Sequence, residues 1–328
     1  MRTHHRFGLA ILSTLALAAC PKGVPGRPGG GDSGVDPNSC GNYAASEAGH
    51  KLKAFLEATA QLSADTGRVV DVVRESCTIM GKELGMSEAE LGGQTKDVCA
   101  KVYGQLDANL KVAFKGKAAL KIDYKPAVCR VNVEATAKAA AECEGKASAD
   151  VGASCSGTCN GRCEGTCAGS AGTGGSGGEC HGQCKGTCHG SCEGHANVNA
   201  SAQCKASAQV KANADVQCTQ PELKIEADAK LVVDDGKAKA TIAAMRAGLP
   251  KILSVKARLE PMKVAVKAWA DSAAELKRSS GKLANSFKEQ ALCVSGQIAA
   301  AASLVGNIQA NVSVSVEVSA SASGTIGG

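Results

Sequence analysis

Residues 155–194 read CSGTCNGRCEGTCAGSAGTGGSGGECHGQCKGTCHGSCEG. Cysteine returns every fourth residue on both sides of a glycine-rich centre. Beyond this stretch the spacing widens but stays mirrored. Cys129, Cys143, Cys155, Cys159, Cys163 and Cys167 precede the centre, and Cys180, Cys184, Cys188, Cys192, Cys204 and Cys218 follow it. Taken from the inside outwards, 167 with 180, 163 with 184, 159 with 188, 155 with 192, 143 with 204 and 129 with 218, every pair of numbers sums to 347. A constant sum is the signature of an antiparallel hairpin in fixed register. Its turn falls at Ala168–Glu179, where AGSAGTGGSGGE supplies the glycines a reversal needs.

The flanking arms alternate. From Ala196 to Cys218 every even position is Ala, Val or Cys, and every odd position from Asn197 to Gln217 is Asn, Ser, Gln, Lys or Asp. From Cys129 to Cys143 the odd positions are Cys, Val or Ala. A period of two predicts strand, with all twelve cysteines on one face. The close Cα approach of non-hydrogen-bonded cross-strand pairs suits disulfides, so six rungs are expected. An Ala-rich helical hairpin is the rival, since Glu134–Glu144 has helical propensity. At the tip, however, a glycine every fourth residue costs a helix about 1 kcal/mol each, which favours strand. Arms this long call for bends or bulges. The same register sets Gly157 opposite Gly190, Gly161 opposite Gly186 and Gly165 opposite Gly182. Below the rungs it sets Pro126 opposite Pro221, Tyr124 opposite Leu223 and Ile122 opposite Ile225. A final alternating run, Val312–Ala322, predicts a third strand that covers a hairpin edge.

Composition explains why such a chain needs staples. Of its 328 residues 44% are hydrophobic, but 57 are Ala and 17 Cys, and only eight are aromatic. Small side chains bury little area, and two-stranded hairpins are marginal in water. Covalent bonds supply what the core does not. With few aromatic rings and no basic block, nucleic acid is not an expected partner.

At the N-terminus, the basic Met1–Arg6 precedes an apolar run, Phe7–Ala16, too short to span a bilayer permanently. Leu17-Ala18-Ala19-Cys20 follows. These twenty residues resemble the signal and lipobox of bacterial lipoproteins. The resemblance implies cleavage before Cys20, with lipid on its sulfur and amino group. Pro21 after that cysteine, where an Asp would imply inner-membrane retention, implies the outer membrane. Several acyl chains give stable anchoring. Removing Arg2 and Arg6 lowers the net charge from +6 to +4. Residues 20–39 are then a Pro/Gly-rich tether, and an exported chain favours disulfides over free thiols.

Helical periodicity flanks the hairpin. Leu52, Phe55, Leu56, Leu62, Val69, Val70, Val73, Cys77, Met80 and Leu84 recur at three–four spacing, in one helix or in two broken near Asp65-Thr66-Gly67. A capping box at Ser87–Glu90 precedes a second helix carrying Val98, Val102, Leu106, Leu110 and Ala113. Lys237–Ser279 reads as helix broken or kinked at Pro250 and Pro261, and Gly281–Ile308 as a fourth. The expected fold is α+β. It has an antiparallel four-helix-type bundle, built from 40–117 and 229–310, and a disulfide-laddered β-hairpin arm, 118–228, inserted between helices 2 and 3. A C-terminal strand and tail occupy 311–328. Four cysteines remain outside the palindrome. Helix arithmetic places Cys77, Cys99 and Cys293 at similar depth, a layer Cys40 reaches only if the first helix breaks; Cys77–Cys99 and Cys40–Cys293 are the favoured pairs of the three open connectivities.

The chemical rival at the tip is zinc or copper held by tip cysteines with His181, His189 and His195. In a straight ribbon those histidines face away from the cysteines, and His181 and His189 lie about 27 Å apart. No nucleophile–base constellation and no phosphate loop is present, since Gly172–Gly178 lacks the Lys-Ser/Thr that a P-loop needs. The expected function is non-enzymatic and needs no cofactor. It is that of a structural, adhesive or partner-binding envelope lipoprotein, with metal binding, or self-association through the hairpin faces, as alternatives.

Overall fold

The computed structural model describes residues 34–116, 119–147, 150–171 and 178–327. The export signal, Cys20, most of the tether and the centre of the predicted turn lie outside the described residues. The fold is mixed helix and sheet. Four long helices, α1 (Glu47–Glu83), α2 (Thr95–Ala113), α5 (Asp235–Asn285) and α6 (Ala291–Gly327), pack around one core. Between α2 and α5 the chain runs through β1 (Leu120–Lys125), β2 (Cys129–Asn132), α3 (Val133–Glu144), β3 (Ala153–Ala171), β4 (Glu179–Val198), α4 (Ala202–Ala214), β5 (Gln217–Cys218) and β6 (Glu222–Ala227).

The periodic apolar residues of α1 and α5 meet in the core. Phe55 stacks on Trp269 with ring centroids 6.3 Å apart, and the buried Trp269 Nε1–H donates to Thr59 Oγ1 at 2.7 Å. Helix α1 runs unbroken through Asp65-Thr66-Gly67, and α5 continues through Pro250 and Pro261. Farther along, Met80 crowds α5 so closely that a Cβ on Gly248 would sit 2.2 Å from its Cγ. Cys77–Cys99 ties α1 to α2.

Cys40–Cys293 is at the other end of α1. Helix arithmetic from a fourth helix beginning at Gly281 misplaces Cys293. Because α6 begins at Ala291, Cys293 lies near the start of α1, about 45 Å of helix from Cys77. The disulfide straps the segment before α1 across this end. Gln297 accepts from the Asp36 backbone N–H at 2.8 Å and donates to Ser39 Oγ at 3.0 Å. Tyr43 meets Phe287 edge-on at 5.8 Å.

Three predicted strands are helices. Cys129–Cys143 and Ala196–Cys218 contain α3 and α4, and Val312–Ala322 belongs to α6. The physical reason is plainest in α4, which is buried on two opposite faces, whereas α3 and α6 each bury one stripe at three–four spacing. Residues i and i+2 are about 200° apart on a helix, so alternation lines two opposite faces with small apolar side chains. A helix sandwiched between two layers needs that pattern. In α4, Ala206 and Val210 face the bundle core, while Ala208 and Ala212 face a second core shared with α3 and the hairpin. Asn132 caps α3 by accepting from the Ala135 N–H at 2.9 Å, and Gly145 ends it in the left-handed region at φ 67°. In α6, Val312, Ser315, Val318, Ser319 and Ala322 are buried at three–four spacing. Ser315 returns its hydroxyl hydrogen to the Asn311 carbonyl at 2.9 Å, which lets serine sit inside a helix.

Two sheets complete the fold. Strands β1 and β6 pair with Tyr124 opposite Leu223 and Ile122 opposite Ile225. The other sheet has the order β3-β4-β2-β5, in which Cys129 lies opposite Cys218.

Candidate functional site

The cysteine-rich hairpin β3–β4 is the most unusual part of the molecule. All six pairs whose numbers sum to 347 are bonded. The expected ladder of directly opposed rungs is nevertheless corrected. In the β3–β4 register Cys159 faces Cys192, Cys163 faces Cys188 and Cys167 faces Cys184, numbers that sum to 351. The glycine pairs shift likewise, Gly161 facing Gly190 and Gly165 facing Gly186. Each disulfide therefore runs diagonally, to a cysteine four residues farther along the partner strand. Only Cys129–Cys218 joins directly opposed residues, and Cys143–Cys204 links α3 to α4.

Four residues span about 13 Å of straight strand, yet Cys163 and Cys184 have Cα atoms 5.7 Å apart. The ribbon reconciles the two by winding. Residues 159–162 pair on one edge with 189–192 and on the other with 179–182, so the hairpin closes on itself as a coil. Its interior is sulfur: Cys159, Cys163, Cys180, Cys188 and Cys192 are all fully or almost fully buried. The facing glycines permit this closeness. A Cβ on Gly165 (φ +151°) would sit 2.0 Å from the Lys185 carbonyl oxygen, and one on Gly186 (φ +149°) 2.0 Å from that of Glu164. The Cys-x-Gly-x repeat thus alternates a staple with a bare backbone contact on the inner face.

The outer face carries the polar side chains, and here two chains of contact form. Arg130 of β2 grips Glu193 at 2.8 Å, Asn160 donates to the same carboxylate at 3.1 Å, and His181 Nδ1 lies 3.2 Å from Asn160 Oδ1. In the second, Arg162 meets Glu164 at 3.0 Å, and the His189 ring nitrogens lie 3.3 Å from Glu164 and 3.6 Å from Glu134 of α3. Glu134, Glu164 and His189 of the second chain of contact line an open cleft of about 710 Å³ between α3 and the coil, together with Asn132 and Lys138. His195 is held below the ordinary imidazole pKa by burial, with Lys205 adding to it.

Coiling also alters the spacing expected of the histidines. Arg162 pairs with His189 on one side and Glu179 on the other, and Asn160 pairs with Ser191 and His181, so His181 and His189 lie on neighbouring turns and not 27 Å along one strand. Among the described residues no group of three or more His, Cys, Asp or Glu is placed to hold a metal ion.

The coil is fastened to the bundle through a residue without a sequence signal. Glu144, at the end of α3, accepts from the Ser201 N–H at 2.6 Å and from Lys51 of α1 at 3.1 Å. Burial works to raise its pKa, but the hydrogen bonds from Ser201 and Lys51 outweigh burial and hold it at about 2.

Among the described residues one helix, Lys288–Thr325, is long and apolar enough to cross a membrane, with a mean hydropathy of 1.5 over its most apolar stretch. One face of it, including Val294, Ile298, Ala301 and Ile308, is built into the bundle core. Comparison with protein-family models, curated proteins and solved structures finds no match.

Proposed function

We propose that this chain is a non-enzymatic lipoprotein of the bacterial cell envelope, anchored at the outer membrane through lipid on Cys20. The four-helix bundle is its body, and the disulfide-wound hairpin, inserted between the second and third bundle helices, is a rigid platform for a protein partner. One observation carries the reading. All sixteen cysteines after Cys20 are paired in eight disulfides, which suits an exported chain. The lipobox-like residues 17–20 supply the anchor, and the polar network on the coil's outer face supplies a pre-organised surface.

Two measurements test the proposal together. Intact mass of the membrane-extracted protein should show acyl groups on a chain beginning at Cys20, and Cys20→Ser should release it from the membrane fraction. Non-reducing peptide mapping should return the eight pairs without free thiols. A soluble wild-type chain, or free tip thiols with bound zinc or copper, would overturn it.

A further inference from the structure

We infer that the α5–α6 end of the bundle docks on a bilayer surface bearing anionic headgroups, with Leu292 inserted among them. The inference rests on the lipid anchor at Cys20 proposed above. It starts from where the described chain begins. Asp36 is bonded to Gln297 of α6, and Cys40 is joined to Cys293. The chain therefore leaves the body beside the first turn of α6. Thirteen residues, or fourteen Cα–Cα steps, lie between Cys20 and Gly34. A Gly-rich linker of that many steps has an r.m.s. span of about 21 Å. Helix α5 alone is about 75 Å long, so its far end, near Val233, lies well beyond that span from the exit point.

The surface at the exit point fits such a neighbour. Leu292 is 89% exposed, the most exposed large hydrophobic side chain among the described residues. Beside it in sequence are Lys277, Arg278, Lys282 and Lys288, all exposed and in none of the ion pairs among the described residues. The same segment holds two carboxylates, Glu275 and Glu289. Across from it are Glu47, which is engaged by Lys51, and Asp36, whose Oδ1 accepts from the Asn38 N–H. An apolar tip among unpaired cations is what an anionic interface attracts, each basic side chain strengthening attachment about fivefold.

The full lipidated chain supplies its own control, because its single tryptophan, Trp269, is fully buried. Leu292→Trp and Val233→Trp would be reconstituted separately into vesicles of phosphatidylglycerol and phosphatidylcholine with brominated acyl chains. Circular dichroism would verify that each retains the wild-type fold. The Trp at 292 should be quenched relative to non-brominated vesicles, and the Trp at 233 should not. Reversing Lys282 and Lys288 to Glu in the first variant should bring its quenching down towards that of the second. Equal quenching at both positions, or no effect of charge reversal, overturns the docking surface while the chain still floats with the vesicles. A chain that carries no acyl groups and does not float overturns the anchor and this inference together.

Discussion

Replacing Glu144 by Gln tests how the stapled region is held to the helical body. The carboxylate is almost wholly buried, with 7% side-chain exposure, and it bridges Ser201 and Lys51. Its pKa of about 2 against a reference of 4.5 corresponds to about 3 kcal/mol of preference for the charged form in the folded state. Glutamine keeps an acceptor for the Ser201 N–H but loses the ion pair, so the expected cost near neutral pH is about 2 kcal/mol. The folded pKa is depressed, so the contribution is complete above the unfolded value of about 4.5 and is lost as pH falls through about 2. Urea unfolding with the disulfides intact, followed by Trp269 fluorescence, reads the difference between wild type and Glu144→Gln. That difference should be flat from neutrality to about pH 5 and then shrink towards zero. Taking the difference cancels the other carboxylates. A gap below about 0.5 kcal/mol, or one that does not change with pH, would refute the reasoning.

Gly165→Ala should prevent the coil from closing, because its Cβ meets the Lys185 carbonyl oxygen, whereas Gly152→Ala has no atom within 4 Å and should be silent. Thiol titration after oxidative refolding should find free cysteines only in the first. Ser319→Ala should raise stability by up to about 1 kcal/mol in denaturant melts, since the Ser319 hydroxyl is buried without a partner. Trp269→Phe should cost about 2 kcal/mol by losing the buried bond to Thr59. A double-mutant cycle with Thr59→Val should show the two losses to be less than additive.

Pairing and register were not equally legible in the sequence. The constant sum of 347 identifies which cysteines bond, because pairing leaves a trace in spacing. Register leaves a weaker one. A four-residue repeat of Cys-x-Gly-x sets Cys against Cys and Gly against Gly at a sum of 347 or of 351, and the chain uses the first for sulfur and the second for backbone. Alternation misleads for a different reason. It is strand-like only when one face is buried, and α4 is buried on two opposite faces. The corrective signal at α3 was local: Asn132 at its start and Gly145 past its end mark a helix whatever the parity between them. The bundle helices read more directly, since Leu52, Phe55, Leu62 and Val73 each face a single core. The Glu144 clamp joins residues 93 and 57 positions apart, and no periodic pattern marks it.

The offset between bonding and pairing bears on how the chain is made. During oxidation Cys159, Cys163, Cys167, Cys184, Cys188 and Cys192 each have two mates within reach, the one across and the one finally taken. Were the straight-across choice made throughout, Cys155 would confront Ala196 and Cys180 would confront Ala171, stranding one thiol at each extremity. Correct wiring consumes every sulfur and wrong wiring leaves two over. The winding thus carries its own parity check, and a disulfide isomerase that meets the chain has a reactive pair of loose ends by which to recognise a miswired copy and begin again.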